Sequence, residues 1–252
     1  MTGGADGTPA GVTIDVALRV EDVVPATVEG RTVLVIDVLR ASTTMVAALG
    51  NGCAAIVPVG EPDEALRRAA ALGDGTLVGG ERRGDPLPGF DLGNSPLEYT
   101  AERVARRPVI FTTSNGTRAL LAARGAAAIG VAGFVNLSAA AAWAAGQGRD
   151  VAVLCAGELG RDALEDSACA GLLVDRLVAR LPGATVTPAA AAASLARPYA
   201  ADVGRLATDA RHARRLVAAG RGGDVAACLT VDSSTVVPVY LPSVDKVVAA
   251  PR

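Results

Sequence analysis

Apolar and polar positions alternate in blocks along this chain. Three times, a short apolar run rich in β-branched residues leads into a polar loop and then an apolar stripe at helical spacing. The first block is VLVIDVLRASTTMVAALGNG. Val33–Ile36 suits a buried parallel strand, and Asp37 stands at its carboxyl end. Ser42 or Thr43 can cap the helix that follows, and Gly50 and Gly52 close it. AAIVPV supplies a further strand. In the second block Val109–Phe111 is the strand, Thr112–Thr117 the polar loop, and the helix runs from about Arg118 until Gly125 terminates it; AAIGVAG is the next strand. In the third, Val151–Leu154 is the strand and Cys155–Asp162 the loop, and the helix extends to about Leu181, where Pro182-Gly183 stops it.

The flanks complete the pattern. Residues 1–11 read as a flexible tail and Val12–Leu18 as an edge strand. The last third reads as a helix over Tyr199–Ala219, a short helix near Asp224–Leu229 and a strand VVPVY. GGERRGDPLPGFDLGNSPLEYT, between the first two blocks, is a long loop of the kind that usually carries function. Within it, Ser95-Pro96-Leu97-Glu98 fits a capping box with proline at the first helical position. This alternation predicts an α/β fold of three layers, a mostly parallel sheet with helices on both faces. The echo between STTMVAALGNG and NGTRALLAARG predicts two related half-units inside one domain, residues 12–252, which allows a division into two lobes.

Composition narrows the partners. Half of the residues are apolar but only 3% are aromatic, so the core is built from Ala, Val and Leu. The formal charge is −2, and no basic stretch is interleaved with aromatics, which argues against nucleic acid. Lys246 is the only lysine, so any anion site relies on local guanidinium groups, hydroxyls and backbone N–H. Cys53, Cys155, Cys169 and Cys228 form no C-x-x-C pair, which fits a reduced, cytoplasmic chain without a zinc knuckle. The N-terminus has no signal-peptide pattern, and no run of about 18 apolar residues predicts a membrane span. The alanine-rich helical surfaces permit a homodimer.

Ligands of such sheets bind at the carboxyl ends of the strands, where three polar loops should converge. The run Thr112-Thr113-Ser114-Asn115-Gly116-Thr117-Arg118 either caps its helix through Asn115 or Thr117 or binds an anion; a cap needs one such residue and six are present. In Asp37–Thr44 a strand-end aspartate precedes Arg40, Ser42 and Thr43. It can bind Mg²⁺ or attack phosphorus, or it forms a solvated turn with an Asp–Arg pair. Only half of the haloacid-dehalogenase signature is present, since Leu39 stands where its second aspartate would be. Glu165 and Asp166 either answer the helix dipole or complete a Mg²⁺ site with Asp37. Cys155 and Arg161 have the C-x5-R spacing of cysteine-dependent phosphatases, a rival reading, although Cys155 can equally be a small buried residue. His212, the only histidine, reads as part of a solvated helix face; a zinc hydrolase or a Ser-His-Asp triad finds no support.

The loops also carry a family resemblance. IDVLRASTTMVAAL, GGERRG, GFDLGNSPLEYT, TTSNGTRAL, GFVNLSA and CAGELGRDALED, in that order over about Val33–Gly171, resemble the successive blocks of the 2-phosphosulfolactate phosphatase family; DVAACLTVDSSTVVPVY is similar too. The resemblance implies Mg²⁺-dependent hydrolysis of (2R)-phospho-3-sulfolactate to 3-sulfolactate and phosphate, a step toward coenzyme M. It also implies an α/β fold distinct from the common phosphatases. Carried over by position, it points to Asp37, Arg40, Glu81, Asp91, Asn94, Thr113, Asn115, Arg118, Asn136, Glu165 and Asp166. Together with the loop reading, this assigns catalysis to Asp37, Arg40 and Asp166, and Mg²⁺ to Asp37, Glu165 and Asp166. Binding of a small anionic phosphorylated metabolite falls to Ser42, Thr43, Glu81, Asn94, Thr113, Ser114, Asn115, Gly116, Thr117, Arg118 and Asn136. A cysteine-dependent phosphatase or a non-enzymatic binder of an anionic metabolite are the alternatives.

Overall fold

A computed structural model describes residues 11–193 and 198–251 of the chain. All but one residue of the predicted flexible tail lie outside the described residues. The strands are β1 (Thr13–Ala17), β2 (Thr32–Ile36), β3 (Ala55–Pro58), β4 (Leu77–Gly80), β5 (Pro108–Thr112), β6 (Ala128–Ala132), β7 (Val151–Cys155), β8 (Thr185–Val186), β9 (Pro238–Leu241) and β10 (Lys246–Ala249). The helices are α1 (Pro25–Val28), α2 (Ala41–Gly50), α3 (Pro62–Leu72), α4 (Ala101–Val104), α5 (Gly116–Ala122), α6 (Leu137–Ala145), α7 (Leu164–Arg180), α8 (Pro188–Ala193), α9 (Leu206–Asp209), α10 (Arg211–Ala218) and α11 (Gly222–Cys228).

The strands form one sheet in the order β4-β5-β3-β10-β9-β6-β2-β7-β1-β8. Two parallel blocks, β4-β5-β3 and β6-β2-β7-β1-β8, are joined by an antiparallel seam made of β10 and β9. The predicted α/β class with a mostly parallel sheet and helices on both faces is therefore what the chain adopts. β2 shows why. Its residues are buried on both faces, Val33 and Val35 toward one core cluster and Leu34 and Ile36 toward another, the period-two division a central strand requires. α6, α7, α10 and α11 pack on the second face. α2 and α5 pack on the first, in a cluster that also takes Ile56, Val109 and Phe111 from the other block. The two blocks thus share a central core, and α3 covers the outer face of the β4-β5-β3 block with Ala65 against Val57, Val78 and Ile110.

The two units that echo in sequence are the two crossings between the blocks. β2-α2-β3 leaves the larger block for the smaller, and β5-α5-β6 returns. Because three antiparallel pairings separate β3 from β6, the blocks run in opposite directions, and a flat sheet would put their carboxyl ends on opposite edges. The loops that follow β2 and β7 in one block and β4 and β5 in the other nevertheless meet, at the cleft described below.

Several local expectations need correction. α5 begins at Gly116 rather than at Arg118. Pro96–Glu98 is a single 3-10 turn without a side-chain cap: Glu98 accepts the Gly93 N–H at 2.7 Å, and the Ser95 hydroxyl donates to Asp224 at 2.5 Å. In place of the helix predicted over Tyr199–Ala219 stand a 3-10 turn (Val203–Arg205) that runs into α9, and then α10, separated from α9 by the extended backbone of Ala210, at φ −75° and ψ 130°. That break turns one face of α10 toward the cleft. The predicted VVPVY strand begins only at Pro238. Among the described residues, no helix is long and apolar enough to cross a membrane.

Candidate active site

Asp37 follows β2 directly and ends up buried, 7% exposed, where the β2 loop meets α2 and α5. Its backbone N–H donates to Ser42 Oγ at 2.8 Å, and its Oδ1 accepts the Ala41 N–H at 3.3 Å, at the start of α2. Oδ2 receives no hydrogen bond from the described residues. Gly116 makes this packing feasible: a Cβ there would lie 2.5 Å from Ala41 Cβ and 2.7 Å from Asp37 Oδ2. The cleft around Asp37 is lined by Leu39, Arg40, Glu81, Arg83, Gly84, Asn94, Ser114, Asn115, Glu158, Leu159, His212 and Arg215. β2, β4, β5 and β7 each send the loop after them into it, as the strand-end argument requires.

The acidic side is tightly held. Asp166, at the start of α7, accepts the Val38 N–H on Oδ1 at 2.9 Å and the Gly157 N–H on Oδ2 at 3.1 Å, tying the β2 and β7 loops together. Glu81 accepts the Gly84 N–H at 2.6 Å and the Ser114 N–H at 2.7 Å, joining the β4 and β5 loops. Burial pushes the Asp37 carboxyl up to about 6; Glu81 and Glu165 add to this, while His212 and the Ala41 N–H oppose it. Burial raises Asp166 well above the carboxylate range as well, helped by Asp37 and Glu165 and opposed by its two backbone donors. Crowding carboxylates into a desolvated floor makes the charged forms costly and marks a place where a cation or a proton is expected.

The polar side divides into occupied and available groups. Arg40 is buried and donates to Asp224 of α11 at 2.6 Å, with Ser95 on the other oxygen of that carboxylate. Thr113 and Thr117 bond each other's backbone N–H at 3.0 Å, while Asn115, at the N-cap of α5, makes no side-chain cap bond, so the expected cap by Asn115 or Thr117 is not made. Asn115 remains facing the cleft, whereas Ser114 lines it with its N–H and its hydroxyl both given to Glu81, at 2.7 and 3.1 Å. Asn94 is 4% exposed, lines the cleft, and its Oδ1 has no partner among the described residues.

Not every predicted residue comes to the site. Arg118 points to exposed Glu21 at 3.3 Å and does not line the cleft. Asn136 is fully buried, with its amide satisfied by Gly133, Val131 and Val236, so it pins a turn to the segment before β9. Thr43 donates to Val38 O at 3.3 Å and faces a different groove. Ser42 serves the Asp37 backbone, and Asp91 accepts the Val78 N–H at 2.8 Å beside β4. Cys155 is fully buried, outside the cleft, and burial with Asp166 nearby pushes its thiol well above the usual range, the opposite of an activated nucleophile.

Residues of α10 and of the loop after β7 also reach the cleft. His212 is no solvated residue: its Nδ1 lies 3.5 Å from Glu165 Oε1, and it lines the cleft with Arg215 of the same helix. Glu158, 3% exposed, holds Arg211 at 2.6 Å and Arg215 at 2.7 Å. The i, i+3 and i, i+4 spacing of Arg211, His212 and Arg215 on one helix face is the signal that could have found them.

The carboxylates expected to hold Mg²⁺ are not gathered into a cage. Among the described residues, no three His, Cys, Asp or Glu side chains are placed to share an ion. Asp166 spends both oxygens on backbone N–H, and Glu165 faces His212. The donor set still fits Mg²⁺ in its commoner form, one or two protein oxygens completed by water and substrate phosphate, with Asp37 Oδ2 as the available oxygen.

A model of the 2-phosphosulpholactate phosphatase family matches residues 17–242. The chain belongs to that family. It is 39% identical over 213 residues to a probable 2-phosphosulfolactate phosphatase of Symbiobacterium thermophilum, covering 84% of this chain and 91% of the relative. It is 33% identical over 227 residues to one of Clostridium acetobutylicum, covering 90% and 97%. It is 38% identical over 218 residues to one of Thermotoga maritima, covering 85% and 91%. The match spans both blocks of the sheet, the seam strand β9 and α10, so the phosphatase family extends over the whole cleft. As a member of the 2-phosphosulfolactate phosphatase family the chain is a phosphoric monoester hydrolase.

Proposed function

We propose that this chain is a Mg²⁺-dependent phosphatase that hydrolyses (2R)-phospho-3-sulfolactate to 3-sulfolactate and phosphate, the kind of step that leads to coenzyme M. The observation that carries this reading is Asp37, a strand-end carboxylate with one oxygen fixed by Ala41 and the other free in a cleft of like-charged neighbours. Asp37 would hold the ion, with the Asn94 amide oxygen as a second candidate donor. Bound there, Mg²⁺ would supply positive charge opposite the phosphoryl oxygens. Asn115 and the Arg40 N–H groups left over by Asp224 offer the protein's own donors to the phosphoryl group, and Asp224 fixes the Arg40 guanidinium. Asp166 and Glu81 act through the backbone: they hold the β2, β7, β4 and β5 loops at the spacing the phosphoryl group needs. In the hydrolysis, the water oxygen bonds to phosphorus and the P–O bond to the substrate's C2 oxygen breaks; one proton of that water stays with the released phosphate, the other is given up to the cleft, and the C2 oxygen takes up a proton. His212, held against Glu165 at the cleft, would deliver it and be reprotonated by the proton the water gives up.

The test is phosphate release from phosphosulfolactate with and without Mg²⁺. Turnover is expected to stop in EDTA and return with added Mg²⁺, and Asp37→Asn is expected to lose at least about 10²-fold in kcat. Turnover indifferent to EDTA would remove the metal, and an Asp37→Asn enzyme at wild-type rate would remove Asp37.

A further inference from the structure

The cleft is polarised. Buried Asp37 and Glu81 line its floor, backed by Glu165 and Asp166, whereas Arg83 and Arg215 stand exposed at its mouth. Most nearby guanidinium groups are already committed. Arg40 is paired with Asp224 beside the phosphoryl position, Arg82 is held by the carbonyls of Glu81 and Gly60 and the Thr112 hydroxyl, and Arg118 is held by Glu21. Two at the mouth are different. Arg83, from the loop after β4, is exposed, and its side chain has no partner among the described residues; its backbone N–H is fixed by Ser114 Oγ at 2.7 Å. Arg215, from α10, shares the single buried carboxylate of Glu158 with Arg211, so two positive charges face one negative charge. α10 is anchored from behind by Ala213 and Leu216 in the core, which fixes the side of the cleft that Arg215 occupies.

We infer that Arg83 and Arg215 form a second oxyanion subsite, which takes the sulfonate or carboxylate of the substrate that is not transferred, while the phosphoryl group sits at Asp37. The inference deepens the phosphatase reading and depends on it for the identity of the ligand. A sulfonate or carboxylate offers several acceptor oxygens, which two guanidinium groups from different elements can approach from two sides. One of the pair is free and the other is only half neutralised, so the anion displaces no complete ion pair. Leu39 and Leu159 supply the apolar wall for the carbon skeleton between the two anionic ends. The subsite also explains how an acidic floor can receive a multiply charged substrate: the mouth captures the remote anion and the floor is left to the phosphoryl end.

Calorimetric titration with 3-sulfolactate and, separately, with inorganic phosphate in the presence of Mg²⁺ tests this on the full chain. Arg83→Ala and Arg215→Ala are each expected to weaken 3-sulfolactate binding about tenfold to a hundredfold and to change phosphate binding by no more than about twofold. Arg215→Lys should recover part of the loss, which separates charge from a folding defect. The inference is overturned if wild-type protein does not bind 3-sulfolactate, if neither variant weakens it, or if both probes weaken alike. Binding and phosphate release fail separately: a protein that binds 3-sulfolactate through these arginines yet releases no phosphate from phosphosulfolactate keeps the subsite and loses the phosphatase reading.

Discussion

Asp37 is expensive to keep ionised. Its carboxyl moves from 3.8 in the unfolded chain to about 6 in the fold, so between about pH 4 and 6 the folded chain holds more protons than the unfolded one. Stability therefore falls as pH rises through that window, and the ionised carboxylate costs up to about 3 kcal/mol above it. Asn at this position keeps an oxygen for the Ala41 N–H and carries no charge. In metal-free buffer Asp37→Asn is expected to melt several degrees above wild type at pH 8 and no higher near pH 4; equal melting temperatures at pH 8 would refute the account. Cys155 predicts the reverse pattern. A buried hydroxyl in place of the thiol costs roughly 1–3 kcal/mol, but Cys155→Ser is expected to keep its turnover, because no part of the residue reaches the cleft. A well-folded but inactive Cys155→Ser would return the thiol to the chemistry.

At the scale of elements, the site depends on how closely α2 and α5 start beside each other. Gly116→Ala would push a methyl group into Ala41 and Asp37. Activity is expected to fall further than stability, measured as kcat against the urea midpoint, since the displaced atoms include Asp37 Oδ2 as well as Ala41 Cβ. The elements themselves were largely legible. Apolar runs gave β2, β5, β6 and β7, and the polar residues after them gave Asp37, Ser114, Asn115 and Asp166, because strand period and strand-end chemistry are local properties. Arg118 and Asn136 fall outside the cleft for a common reason: a helix start or turn rich in polar groups looks the same whether those groups face an open cleft, as Asn115 does, or a neighbouring segment, as Asn136 does. α10 was hidden differently. Its break at Ala210 has no glycine or proline to announce it, and its polar face resembles solvent-facing surface until the fold sets Glu158 and Glu165 opposite.

For the whole molecule, the two crossings make the blocks interdependent. Each block contains a strand whose predecessor lies in the other, and they share a core, so one cooperative melting transition is expected rather than two. The seam is the weak link. Val247 of β10 is fully buried and pairs with Ile56 of β3. Val247→Asp would place an unpaired carboxylate there and is expected to cost at least about 3 kcal/mol and abolish activity about the distant cleft, which a thermal melt with an activity assay would show; an active, normally melting variant would mean the seam is not needed. That seam also decides how the protein fails. With β9 and β10 in place, β3 and β6 have hydrogen-bonded neighbours on both sides. Displace the hairpin, and each offers a row of bare N–H and C=O groups on which other chains can stack. The short C-terminal hairpin thus guards against aggregation, and damage to it should appear first as turbidity.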